Sequence, residues 1–190
     1  EVGARALDRL WLRGGFPPAF TARGDVESER WRRELVRTFV ERDLPGLDVR
    51  LPAAAVDRFW RMLAHSHGQL WNAAELARSF GVSEKTVRHY LDVLVGTFMV
   101  RRLQPWHENL AKRQVNAPKI YFRDTGLLHA LLGIESHGQL QRHPRLGASW
   151  EGFALEQVLR LAQPNEAYFW ATHAGAELDL LMFRYGKRVG

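Results

Sequence analysis

Apolar residues recur at helical spacing over most of the chain and give way to strand-like runs only near its centre and its end. The clearest pattern joins two short amphipathic helices at Gly81-Val82-Ser83. In the first, Leu76, Ala77 and Phe80 share a face. In the second, Val87, Tyr90, Leu91, Leu94 and Val95 follow the spacing i, i+3, i+4, i+7, i+8 of a core-facing stripe. Gly81 can take the left-handed conformation that stops a helix, Ser83 is a good N-cap, and Glu84 in the first turn suits the helix dipole. With the small Ala77 at the crossing, these intervals are those of a helix-turn-helix. Residues 98–103 then read as a strand and residues 120–122 as its return, joined by the polar stretch 107–118. A helix pair followed by such a hairpin outlines a winged helix.

Three helices are expected ahead of this unit. Residues 4–12 form a short one, ended by Arg13-Gly14-Gly15-Phe16-Pro17-Pro18, a tight and partly extended turn because each Pro restricts itself and its predecessor. Residues 25–43 follow, with Trp31, Leu35 and Phe39 facing inward. Arg30, Arg32, Arg33, Glu34, Arg37 and Glu41 decorate the remaining surface. Residues 52–66 carry the stripe Val56, Phe59, Trp60 and Leu63, which should pack behind the helix-turn-helix. Beyond the hairpin, Asp124 caps a helix over 127–132, and residues 133–145 read as a polar, His-rich loop. A helix over 148–161 should turn Trp150, Phe153, Ala154, Val158 and Leu161 inward. Strands follow at 167–172 and 177–183, and the chain stops where a third should begin. The fold class is therefore α+β: a mainly helical lead-in over 1–50, a winged helix-turn-helix over 51–135, and a partial α/β module over 136–190.

Composition narrows the setting. A chain of 190 residues with 46% hydrophobic positions and seven Trp has ample material for a core. It has no Cys, so disulfides and thiolate metal sites are excluded, and a cytoplasmic location is expected. No apolar run approaches membrane-spanning length, so no membrane partner is expected. The first residue is Glu1 rather than Met, and a fragment of a longer protein is the expectation. No G-x-x-x-x-G-K-[ST] loop is present, so this chain should neither bind ATP tightly nor hydrolyse it.

The net charge of +6 favours an acidic partner. On the second helix of the pair, the outward positions Glu84, Lys85, Arg88, His89 and Asp92 balance one another. The hairpin is different: from Arg101 to Arg123, the six cations Arg101, Arg102, Lys112, Arg113, Lys119 and Arg123 face Glu108 alone. Trp106 and Tyr121 are available to stack or pack. This reads as a wing that contacts the DNA backbone, chiefly through Lys112 and Arg113, with Lys85 and Arg88 secondary. The alternative is a scaffold for protein contacts with its cations merely solvated.

Metal chemistry has one candidate. Glu177 and Asp179 point to the same face of a strand, since side chains alternate, and Glu151 lies on the helix before it. Carboxylates so placed could hold a divalent ion such as Mg²⁺, or could serve only solubility. His65 and His67 lack a third ligand at suitable spacing and are expected to meet a helix C-terminus. His129, His137 and His143 are spaced too irregularly for a metal.

Taken in series, these motifs carry a resemblance. Arg13-Gly14-Gly15-Phe16-Pro17, Glu41-Arg42-Asp43, Leu70-Trp71-Asn72, the helix-turn-helix and Asn109 with Lys112-Arg113 are followed by the run from Pro118 to Leu127. Trp150-Glu151 and Gly175-Ala176-Glu177-Leu178-Asp179 complete the series. The order resembles the C-terminal half of prokaryotic AAA+ family ATPases. The resemblance implies a preceding ATPase module that carries the phosphate-binding loop, with ATP and Mg²⁺ as its cofactors and none held in this chain. It also implies that residues 136–190 resemble the start of a PD-(D/E)XK nuclease fold, with Glu151 and Asp179 as the matching acids. The acid-X-Lys of that fold's third strand has no match before Gly190, so no catalysis is expected here. The function expected is an accessory, DNA-contacting region of an ATPase, with a protein scaffold or a truncated metal-dependent nuclease as alternatives.

Overall fold

A computed structural model describes residues 2–47, 51–107 and 115–190. The lead-in contains α1 (Val2–Arg13), α2 (Pro17–Thr21) and α3 (Asp25–Thr38), which runs through a π-helical stretch, Phe39–Asp43, into the single turn α4 (Leu44–Gly46). Next come α5 (Ala53–His65), α6 (Ala73–Phe80), α7 (Glu84–Gly96), β1 (Val100–Pro105) and β2 (Lys119–Phe122). The chain continues through α8 (Thr125–Leu132), α9 (His137–Arg142), α10 (Leu146–Ala162), β3 (Glu166–Ala171), β4 (Glu177–Arg184) and β5 (Lys187–Val189). The fold is mixed α+β, and none of the described helices is long and apolar enough to cross a membrane.

The helix-turn-helix forms as its residues dictate. Asn72 caps α6 by accepting from the Glu75 amide, Gly81 ends it at φ 74°, and Ser83 caps α7 by accepting from the Thr86 amide. Val87, Tyr90, Leu91 and Leu94 are buried. A further piece was hidden in the sequence: Leu70 bridges antiparallel to Lys119, with the Trp71 amide donating to the Pro118 carbonyl at 2.7 Å. The connectivity is helix, short strand, two helices and a hairpin, which is that of a winged helix.

The strands form one five-stranded sheet in the order β2-β1-β3-β4-β5. All neighbours are antiparallel except β1 and β3, which run parallel through Gln104–Tyr168 and Pro105–Phe169. The wing is thus the edge of the same sheet that holds the last three strands. The main core likewise unites Val36, Phe39 and Leu44 of the lead-in with Phe59, Trp60 and Leu91 of the winged helix and Leu127 and Leu131 of α8. The lead-in, the winged helix and α8 thus share one core, their apolar faces covering one another.

Three sequence expectations are corrected. The stretch 133–145 is not all loop, since Ser136 accepts from the Gln139 amide and caps α9. Of the inward residues expected over 25–43, Phe39 is buried, Leu35 and Trp31 are half-buried, and the buried positions of α3 are Ser28, Glu29, Arg32 and Val36. Arg32 is fully buried and donates to the Leu12 carbonyl at 3.2 Å and the Gly126 carbonyl at 3.0 Å of two other elements, and to Ser28 of its own helix at 3.3 Å. On α10 the inward face is Ser149, Phe153, Leu155, Glu156 and Leu159, and Trp150, Val158 and Leu161 are exposed. Polar anchors set that rotation: Ser149 meets Trp11 and His129, and Glu156 meets Arg101.

The Arg-Gly-Gly turn has a structural task. Asp124 accepts from the Gly15 amide at 2.7 Å and from the Leu127 amide at 2.9 Å, so the loop cradles a carboxylate of its own chain. A Cβ on Gly14, at φ 80°, would lie 2.1 Å from Asp124 Oδ1, and one on Gly126 would lie 2.1 Å from the Arg13 carbonyl oxygen. Arg13 completes the clamp through Asp25 at 2.8 Å and the Ala22 carbonyl at 2.7 Å. Burial raises the Asp124 pKa against the pull of the Gly15, Leu127 and Gly126 amides and the Arg32 charge.

Candidate functional site

A cluster of ionisable groups forms where β2, α10 and β4 meet. Alternation along β2 sends Ile120 and Phe122 into the winged-helix core and Lys119 and Tyr121 to the other side, under α10 and β4. There the Lys119 ammonium meets three carboxylates: Glu177, Asp179 Oδ1 at 3.2 Å and Glu151 Oε1 at 3.5 Å. Tyr121 donates its hydroxyl to Glu151 Oε1 at 2.5 Å, and the ammonium lies 5.5 Å from the centre of the Phe169 ring. The Lys119 side chain is 8% exposed, against 32% for Glu151, 44% for Glu177 and 59% for Asp179. The cluster is thus a buried cation at the base of a carboxylate rim that opens to solvent.

Its electrostatics follow from that geometry. Burial works against the Lys119 charge, but the hydrogen bonds to Glu177 and Asp179 and the Glu151 charge outweigh it and hold its pKa above the ordinary value. Burial and the bond to Glu151 push the Tyr121 phenol up, so it is a donor at any ordinary pH. The acids expected to hold a metal, Glu151, Glu177 and Asp179, do converge, but on an ammonium. Among the described residues no group of three His, Asp or Glu side chains is arranged to hold a metal ion. The arrangement does not fit a resident Mg²⁺, because Lys119 occupies the point at which their oxygens meet.

The expected DNA-contacting residues separate into three sets. Lys119 is buried in the cluster just described, and Arg101 is tied to the buried Glu156 at 2.5 and 3.0 Å. Arg102 pairs with Asp92 of α7, and Arg123 stands 3.9 Å from Glu156. The strand cations of the wing are therefore matched by acids distant in sequence, which a local charge count cannot register. Lys112 and Arg113 lie outside the described residues. Lys85 and Arg88 remain on the open face of α7, where Glu84, His89 and Asp92 are also exposed; Arg88 reaches Glu84 at 3.2 Å.

Two histidines are structural. His67 is buried and accepts the Phe122 amide on Nδ1 at 2.9 Å. His129 donates from Nδ1 to the Leu12 carbonyl at 2.9 Å and accepts on Nε2 from Ser149 at 2.7 Å, while Trp11 donates to the same Ser149 oxygen. Burial lowers both pKa values to about 3. Neither role was legible in sequence, since their partners lie 20 to 117 positions away.

Residues 4–138 match a family model described as "Domain of unknown function (DUF8612)", and the chain belongs to that family. It is 56% identical, over all 190 residues, to an uncharacterized protein of Mycobacterium tuberculosis and to one of Mycobacterium bovis. The chain spans 43% of the length of each of these relatives. No solved structure matches it.

Proposed function

We propose that this chain is the accessory region of an AAA+ family ATPase and that it meets the backbone of duplex DNA through its winged helix. The observation that carries the reading is the uncovered outward face of α7. Lys85, Arg88 and His89 are all exposed there, and no other described element packs over them. Arg102 reinforces this face by neutralising Asp92, so the exposed cations are not outnumbered by acids. Lys112 and Arg113, which lie outside the described residues, supply the second contact on this reading. The AAA+ part rests on the ordered series of motifs and on the greater length of the relatives, which leaves room for a further module with its own ATP and Mg²⁺. Such contacts fix position on the duplex and carry no base sequence.

A titration of a labelled duplex at low salt tests this reading. Lys85→Glu with Arg88→Glu should weaken binding, since reversing each charge replaces an attraction to phosphate with a repulsion. Equal binding by wild type and variant would overturn it, and no binding by either would leave the protein-scaffold alternative. One observation favours a nuclease-like second reading: Glu151, Asp179 and a lysine come together. Cleavage of plasmid DNA with added Mg²⁺, lost on Asp179→Asn, would support that reading. Lys119 at the meeting point of the acids argues against it.

A further inference from the structure

Pairing between β1 and β3 covers only Gln104–Tyr168 and Pro105–Phe169. Ahead of those pairs, a cleft of about 700 Å³ lies between β1, the C-terminal end of α10 and the Gly15-Phe16 turn. Four guanidinium groups line it: Arg101, Arg102, Arg123 and Arg160. Three acids line it too, and only one of them is paired with a cation of the cleft wall. Asp124 accepts backbone amides, Glu156 holds Arg101, and Glu166 accepts the Tyr168 hydroxyl at 3.1 Å. Arg160 makes no ion pair among the described residues, and its guanidinium comes near Gly15 at the cleft wall.

Backbone strain gathers at the same place. Among the described residues only Phe98, Gln163 and Tyr185 have positive φ without being glycine, and the first two line this cleft, at 61° and 46°. Phe98 follows α7 at a position where glycine is the unstrained residue, yet the residue is 72% exposed. One face of its ring receives Arg123, whose guanidinium lies 5.4 Å from the ring centre. The left-handed turn closes α7, with the Phe98 amide donating to the Val95 carbonyl and the Met99 amide to the Leu94 carbonyl, and it leaves the aromatic side chain in solvent at the mouth of the cleft.

We infer that this cleft binds a nucleoside monophosphate, with the phosphate on Arg160 and Arg123 and the base against Phe98. Planar guanidinium groups match phosphate oxygens two at a time, and an exposed aromatic ring offers a stacking platform to any base. The volume falls within the range of small-molecule sites and exceeds what inorganic phosphate needs. The inference does not rest on DNA contact by α7, whose open face is a separate surface.

The test is calorimetric titration of the whole chain with AMP and, separately, with pyrophosphate, each up to about 5 mM. Both should bind, AMP more tightly. Arg160→Ala removes no partner from the fold and should weaken both by about tenfold. Phe98→Gly relieves the positive φ, so the protein stays folded, and it should weaken AMP by about fivefold while sparing pyrophosphate. Tyr185→Gly relieves similar strain away from the cleft and should change neither. Absence of binding, an Arg160→Ala variant that binds like wild type, or a Phe98→Gly effect equal on both ligands would overturn the assignment.

Discussion

Replacing Lys119 with Met removes the charge at the centre of the acid cluster while keeping an apolar stem against Phe169. Three carboxylates would then face one another with nothing between them. Breaking a fully buried ion pair costs roughly 3–5 kcal/mol, but Glu177 and Asp179 are more than a third exposed, so solvent screens much of the repulsion. The expected loss is about 2 kcal/mol, which for a chain of this size lowers Tm by roughly 4–8 °C. Thermal unfolding followed by circular dichroism reads it directly. The charge argument also fixes a sign that packing alone does not. Glu177→Gln should destabilise the wild-type protein, where it removes an ion pair, and should stabilise the Lys119→Met protein, where it removes a repulsion. A Lys119→Met protein within about 0.5 kcal/mol of wild type, or a Glu177→Gln effect of the same sign in both backgrounds, would refute the reasoning.

Two further outcomes follow from buried groups. Gly126→Ala would place a methyl group 2.1 Å from the Arg13 carbonyl, forcing the Arg-Gly-Gly turn away from Asp124; a loss of about 3 kcal/mol is expected in urea unfolding. His67 and His129 have folded pKa values of about 3, below the ordinary value of 6.5, so the unfolded chain takes up protons first as pH falls. Their contribution is complete above about pH 6.5 and is lost as pH falls toward 3. With two protons in play, stability should fall by about 2.7 kcal/mol per pH unit once pH is well below 6.5, and by half that in a His129→Gln variant that still folds.

The helix-turn-helix was legible because its signals are local: Gly81, Ser83 and the stripe from Val87 to Leu94 act within a few residues of one another. The same holds for Asp124 as a cap. What the sequence hid depends on distant partners. Arg32 looks like surface decoration until Leu12 and Gly126 present carbonyls to it. The face of α10 was misjudged because Ser149 and Glu156 are anchored by Trp11, His129 and Arg101, and these polar contacts outrank the apolar period. Alternation along β4 placed Glu177 and Asp179 on one face, but Lys119, about sixty positions earlier, could be paired with Asp179 only in three dimensions. The pairing of the hairpin's strand cations was hidden for the same reason: Asp92, Glu151 and Glu156 answer Arg102, Lys119 and Arg101 from elsewhere in the chain.

The DNA contact proposed for α7 is tested most directly by the salt dependence of duplex affinity, measured by fluorescence anisotropy from low to moderate salt. Backbone contact predicts a straight fall of log K with log salt concentration, with a slope that Lys85→Glu and Arg88→Glu together make shallower by about two units. An affinity that does not respond to salt, or a slope unchanged in the double variant, would contradict the account.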